Sequence, residues 1–119
     1  MQISNIPQSI QPYVHNRILQ PFVWQDIEWR VPYYQVYAKL ENPVSDRVIY
    51  YKQQKIAVLE LGRYEVPLFD PCHGGIVEMP AHAVVLSICK GNRFGLFAYP
   101  AQALLPLVFE PWGESEKIR

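Results

Sequence analysis

The sequence predicts a mainly β domain built as a small β-barrel. Short runs rich in β-branched and aromatic residues recur along the chain, turn signals separate them at intervals of about ten residues, and convincing helical periods are few. With 119 residues the chain is one domain by size, and such a domain buries roughly two thirds of its unfolded surface, enough for a core without staples. Apolar residues make up 50% of it, and the 8 Tyr, 5 Phe and 3 Trp supply strand-favouring bulk.

Residues 1–25 read as an irregular N-terminal arm. Pro7, Pro12 and Pro21 lie among polar spacers; each removes a backbone donor and restricts the residue before it, so the arm is expected to wrap the domain rather than form a layer of it. Residues 26–119 are the expected barrel domain. From Asp26 to Leu40 the run DIEWRVPYYQVYAKL alternates in part, and Pro32 marks an edge, a bulge or a break within it. ENPVSD punctuates the chain as a turn.

Two readings fit the next segment. Ser45 or Asp46 is placed to cap a short helix through RVIYYKQQ, and Val48, Ile49, Tyr50 and Tyr51 suit a strand equally well. Lys55 to Leu61 and Tyr64 to Phe69 are strand-like runs with Gly62-Arg63 between them in hairpin-turn position. FDPCHGG closes the pair with a dense loop signal, in which Asp70-Pro71 ends the strand. Ala83 to Cys89 is apolar or small on both faces, as a strand buried on both sides would be, and KGN turns the chain at Gly91.

Arg93 to Tyr99 then returns as a strand with Gly95 inside it. A glycine there permits the sharp bend that closes a small barrel, or lets a neighbouring backbone approach. Pro100 and Pro106 are expected at an edge or where the strand leaves its sheet, with Tyr99 to Ala103 at a kink.

Charge and composition exclude several classes. Eleven basic residues balance eleven acidic ones, so no summed field draws the chain to phosphate backbones or anionic lipid. No segment approaches the roughly 18 apolar residues of a membrane helix, and the first residues lack a basic region followed by an apolar one. A cytoplasmic protein is expected, with no nucleic acid and no membrane insertion. Two cysteines, Cys72 and Cys89, are sparse for a small secreted domain and suit reduced thiols, although sequence leaves their pairing open.

Cys72, His73, His82 and Cys89 are the one cluster with zinc-ligand chemistry. Structural zinc sites pair ligands with two to five residues between them so that one turn presents two of them, and an adjacent Cys-His with wide gaps lacks that geometry. Asp70, Cys72 and His73 lie close enough to suggest a thiol nucleophile, but adjacent side chains diverge and no oxyanion loop precedes the cysteine. Glu28, Glu41, Glu60, Glu65, Asp70 and Glu78 are scattered, and phosphate-binding glycine loops are absent. Neither catalysis nor a cofactor or metal is expected. Tyrosines in YYQVYAKL and at Tyr50-Tyr51 lack the basic groove of a stacking platform, and suit a core or a protein interface better.

Two stretches together resemble the CheW-like domains of bacterial chemotaxis. KIAVLELGRYEVPLFDP is similar to that family's apolar strand, Arg-Gly turn and strand ending in Val-Pro-hydrophobic-x-Asp-Leu, and AVVLSICKGNRFGLFAYPAQALLPL to its second signature with an internal glycine. Val66, Pro67, Leu68 and Asp70 fall on the first signature, and Gly91, Gly95 and Leu96 on the second. The turn is Gly62-Arg63 in reversed order, Pro71 replaces the closing Leu, and Tyr99 stands at the family's aspartate.

The resemblance implies a pair of SH3-like barrels sharing one core, and a non-catalytic adaptor. Proteins of this kind bind a chemoreceptor tip and the regulatory domain of a histidine kinase, and variants serve pathways controlling type IV pili and twitching. By resemblance the partner contact involves Arg63, Val66 and Leu68, while Gly62, Pro67, Asp70, Gly91 and Gly95 shape turns and bends. Two other classes compete with it: a metal- or thiol-dependent enzyme using Cys72, His73, His82 and Cys89, and an SH3-like barrel that binds nucleic acid.

Overall fold

Period-two patterning becomes strand through most of the chain. The computed structural model describes residues 16–72, 74–76 and 78–111. Within them lie β1 (Asn16–Trp24), β2 (Ile27–Pro32), β3 (Val36–Glu41), β4 (Ser45–Tyr51), β5 (Gln54–Leu61), β6 (Tyr64–Pro67), β7 (Phe69–Asp70), β8 (Gly74–Gly75), β9 (His82–Lys90), β10 (Arg93–Ala101), β11 (Ala103–Leu104) and β12 (Val108–Pro111). Pro32 ends β2, and a single 3-10 turn, Tyr33–Gln35, separates it from β3, so the proline marks a break. The domain is mainly β, as expected, and its strand pairs are antiparallel apart from one isolated bridge between Leu68 and Ala98.

The strand read as apolar on both faces lies at the centre. β9 pairs with β10 along its whole length and with β3 on its other side. Ala83 and Val85 point into one core with Leu59, Val66, Leu68, Leu96 and Ala98. Val84 and Leu86 point the opposite way, into a second core with Phe22, Val31 and Ala101. The β3-β9-β10 sheet therefore serves as a shared layer, with β5 and β6 packed on one face and β1 and β2 on the other. Each buried Val or Leu contributes about 1.5–3 kcal/mol relative to exposure, which makes this double-sided strand the main anchor of the fold. Burial stops at Leu86, because Ile88 and Cys89 near the far end are exposed.

A bulge lets β3 serve both cores. Val36 pairs with Leu86 but Ala38 pairs with Val85, so the extra residue Tyr37 flips the strand's inward face. Val36 accordingly packs in the second core, and Ala38 and Leu40 in the first.

The expectation of an irregular arm through residue 25 is corrected for its described part. Residues 16–24 form β1, the middle strand of its sheet, flanked by β2 on one edge and by β12 and β11 in turn on the other. Residues 1–15 lie outside the described region. The reason Pro21 is tolerated in a middle strand is local. β12 pairs with Asn16 to Leu19 and β11 with Phe22 and Val23, so the missing N–H of Pro21 faces the gap between two short partners. In a strand the N–H and C=O of one residue point the same way, and the Pro21 carbonyl indeed accepts from the Leu105 N–H in that gap at 3.1 Å.

Gln20, 1% exposed, fills the rest of the gap. Its Nε2 donates to the carbonyls of Pro21 and Leu105, each at 2.8 Å, and its Oε1 accepts from Lys39 Nζ at 3.5 Å. A buried amide with these partners meets the hydrogen-bonding demand that the proline creates.

Segment 45–51, open between helix and strand in the sequence, is β4. Ser45 caps a bulge instead of a helix: its Oγ donates to the Arg47 carbonyl at 2.8 Å and accepts from the Arg47 N–H at 3.4 Å, where the register to β5 shifts.

No bulge and no left-handed φ marks Gly95 in β10. Arg93 to Ala101 pair residue for residue with Lys90 to His82 without a register shift, and a Cβ on Gly95 would meet nothing within 4 Å. The chain turns one step later. Pro100 sits in β10 on the outer edge of its sheet, and at Gln102, whose N–H donates to the Val23 carbonyl at 2.7 Å, the chain leaves that sheet to join β1 as β11. The change of sheet falls inside the expected span Tyr99 to Ala103.

Candidate protein-binding surface

The β5–β6 hairpin presents the residues that sequence reasoning favoured. Leu61 and Tyr64 pair directly, so Gly62-Arg63 is a two-residue turn, and Gly62 takes φ 60 while Arg63 stays out of the left-handed region. This is the pattern of a type II′ turn, whose first position requires glycine. The β9–β10 hairpin repeats it with Gly91, φ 64, and Asn92.

Arg63 is exposed. Its guanidinium carbon lies 5.9 Å from the Tyr64 ring centre. Around Tyr64 three rings from three strands meet: Tyr64 to Phe94 at 5.8 Å, Tyr37 to Tyr64 at 6.1 Å and Tyr37 to Phe94 at 6.3 Å, all tilted or edge-on. Tyr64 is half-buried against the first core, while Tyr37 and Phe94 remain 49% and 47% exposed. The trio is thus an apolar spill-over of the core onto the surface, with a cation at its rim. Large amphipathic rings held in place by one another offer contact area at small entropy cost, and aromatic residues with Arg are the residue types enriched where proteins meet.

Val66 and Leu68 are corrected as contact residues. Both are 0% exposed and belong to the first core: Val66 because β6 alternates, and Leu68, just past β6, because its N–H donates to the Ala57 carbonyl and it bridges Ala98. Their part is to hold the hairpin, not to touch a partner. Pro67 closes β6 opposite Val58. Asp70, 6% exposed, ends β7: its Oδ1 accepts from the Cys72 N–H at 2.8 Å, forming the turn, and its Oδ2 accepts from Trp24 Nε1 at 2.7 Å.

Of the thiol and imidazole residues, His82 and Cys89 are held apart. His82 and Cys89 lie near opposite ends of β9, and seven residues of extended strand span roughly 23 Å, too far to share an ion. Cys72 and Cys89 are both exposed free thiols, and His73 lies outside the described residues. Among the described residues no group of three or more His, Cys, Asp or Glu side chains is placed to hold a metal. No helix among them is long and apolar enough to cross a membrane.

No protein-family model matches this chain, and no curated protein matches it. The other tyrosines do not build a stacking platform. Tyr50 and Tyr51 are 70% and 54% exposed at the β4–β5 turn, but adjacent strand residues face opposite sides. Each has its own cation beside it, Lys55 Nζ at 6.0 Å and Lys52 Nζ at 5.3 Å.

Charge elsewhere is used to tie strands. Arg17 and Arg30 both reach Glu110, at 3.2 and 3.3 Å, and Arg30 also reaches Glu28 at 2.7 Å, linking β12, β1 and β2. The hydrogen bond to Glu28, with the charges of Glu28 and Glu110, raises the pKa of Arg30; a guanidinium is charged at any working pH, so this fixes geometry and switches nothing.

Sequence reasoning missed Tyr37 and Phe94 as partners of Tyr64. Each is an outward position of a plain strand. Their meeting depends on the bulge at Tyr37 and on β3 and β10 both flanking β9, neither of which has a local signal.

Proposed function

We propose that this chain is a non-catalytic adaptor of the CheW-like kind, working in the cytoplasm between a chemoreceptor tip and the regulatory domain of a histidine kinase, or in the related control of type IV pili. The observation that carries the reading is the exposed Tyr37–Tyr64–Phe94 surface beside Arg63, at the hairpin where the resemblance expects a protein contact. The two cores lie on opposite faces of β9, so a pair of SH3-like barrels would share the β9 sheet as a common wall in place of one common core. With Val66 and Leu68 buried, the contact passes to Arg63, Tyr37 and Phe94.

Titration with receptor-tip and kinase regulatory fragments tests the reading, using Arg63→Ala and Phe94→Ala as site variants. The enzyme reading has less support, since His82 and Cys89 are strand-lengths apart. Elemental analysis tests it: a stoichiometric transition metal lost in a Cys72→Ala/His73→Ala variant would favour it. A nucleic-acid role predicts steep salt dependence of binding, which a chain of net charge +0 has little means to produce.

A further inference from the structure

We propose that the outer edge of β4 is a docking edge for a second copy of this chain, the two β4 strands pairing antiparallel about a twofold axis at Ile49. Among the described residues β4 has β5 on one side and no strand on the other. An outer strand with a free side presents alternate N–H and C=O groups to solvent, so the backbone itself specifies an extended strand as occupant.

Of the other outer strands, β7, β8, β11 and β12 are no more than four residues long, and the rest are blunted. β2 carries the exposed Glu28–Arg30 ion pair and ends at Pro32. β3 is bulged at Tyr37 and exposes Lys39. β6 is four residues long and ends in Pro67, and β10 contains Pro100 and is bridged at Ala98 by Leu68. In β4 the irregularity is confined to Ser45–Arg47, and Val48 to Tyr51 run in regular register with Ala57 to Gln54. That free stretch exposes Val48 by 46%, Tyr50 by 70% and Tyr51 by 54%.

The sequence of β4 is complementary to itself about Ile49. Residues opposite each other in an antiparallel pair share a face. A twofold axis at Ile49 therefore sets Val48 against Tyr50 of the second copy and Arg47 against Tyr51 of the second copy, each contact occurring twice. The first is a β-branched–aromatic pair, and the second lays a guanidinium on a ring. In the single copy Arg47 pairs with Glu65 on β6, across β5, so the Arg47–Tyr51 contact requires its guanidinium to swing to the outer edge, and the Val48–Tyr50 pairs carry the match. Arg47 is the one charged residue between positions 47 and 51, and it meets the Tyr51 ring on the face that Lys52 leaves open. Moving the axis to Val48 would set Arg47 against Ile49 and lose the match. The result is a continuous sheet β6-β5-β4-β4-β5-β6 across the two copies, an isologous contact that closes on itself.

One strand pair is smaller than the interface of a permanent dimer, so the dissociation constant is expected between about 10 µM and 1 mM. Sedimentation velocity of the full chain up to about 1 mM reads it. The expected result is a concentration-dependent dimer that Val48→Lys/Tyr50→Lys weakens by about tenfold or more, while Tyr34→Lys, at a tyrosine 83% exposed on the 3-10 turn, leaves it unchanged. As a measurement independent of the lysine variants, Ile49→Cys in a Cys72→Ser/Cys89→Ser background is expected to cross-link as a dimer under mild oxidation. A monomer at every concentration, a dimer indifferent to the β4 lysines, or a dimer equally weakened by Tyr34→Lys would overturn the assignment.

Discussion

Trp24 Nε1 donates to Asp70 Oδ2 at 2.7 Å and so ties β1 to the end of β7 across 46 residues of sequence. Asp70 is buried, and its other oxygen closes the Pro71-Cys72 turn. Trp24→Phe keeps most of the ring but removes the donor. A hydrogen bond to a charged group contributes about 1.5–3 kcal/mol, and a loss of that order is expected in denaturant unfolding, with the loop after β7 losing amide protection first.

Gln20 gives a second stability test. Gln20→Ala leaves the Pro21 and Leu105 carbonyls without their side-chain donor in a buried gap, and a destabilisation of about 2–3 kcal/mol is expected from the lost bonds and the cavity together. Gln20→Glu should not restore the loss, because the carboxylate removes the donor. Thermal unfolding of the two variants checks both statements.

Gly95→Val is expected to be neutral or to stabilise the fold, by up to about 1 kcal/mol. The added side chain meets open space opposite Ile88, an exposed cross-strand neighbour with which a β-branched residue pairs well. A loss above 1 kcal/mol would restore the barrel-closing role that the sequence suggested.

The β1–β2 turn is improvable. Gln25 and Asp26 take φ 54 and 63, the type I′ pattern that strains ordinary side chains and favours Asn-Gly. Gln25→Asn/Asp26→Gly is expected to stabilise by about 1 kcal/mol in denaturant unfolding.

Strands with an alternating pattern or a two-sided apolar run were legible in the sequence, as were the turns that carry glycine at their first position, Gly62 and Gly91. The turns at Gln25-Asp26 and Lys52-Gln53 were not. They reach φ between 51 and 66 without glycine, and nothing in their composition signals a conformation imposed by strand twist. β1 was obscured by Pro21, whose tolerance depends on two partners more than 80 residues away in sequence. The exposure of Arg63 was legible because a hairpin tip is exposed by construction. Val66 and Leu68 were assigned to the same surface, but alternation sends Val66 inward and the bridge to Ala98 holds Leu68 there. Tyr37 and Phe94 reach Tyr64 only through tertiary pairing, and no spacing rule joins them.

Binding of the receptor-tip and kinase regulatory fragments to the full chain, measured by titration calorimetry with wild type, Arg63→Ala and Phe94→Ala side by side, tests the central claim most directly. Binding of at least one fragment at tens of micromolar or tighter is expected, weakened by about tenfold or more in each variant, with the melting temperature unchanged in Arg63→Ala and both variants still folded at the assay temperature. Absence of binding to both fragments, or binding indifferent to both substitutions, would contradict it.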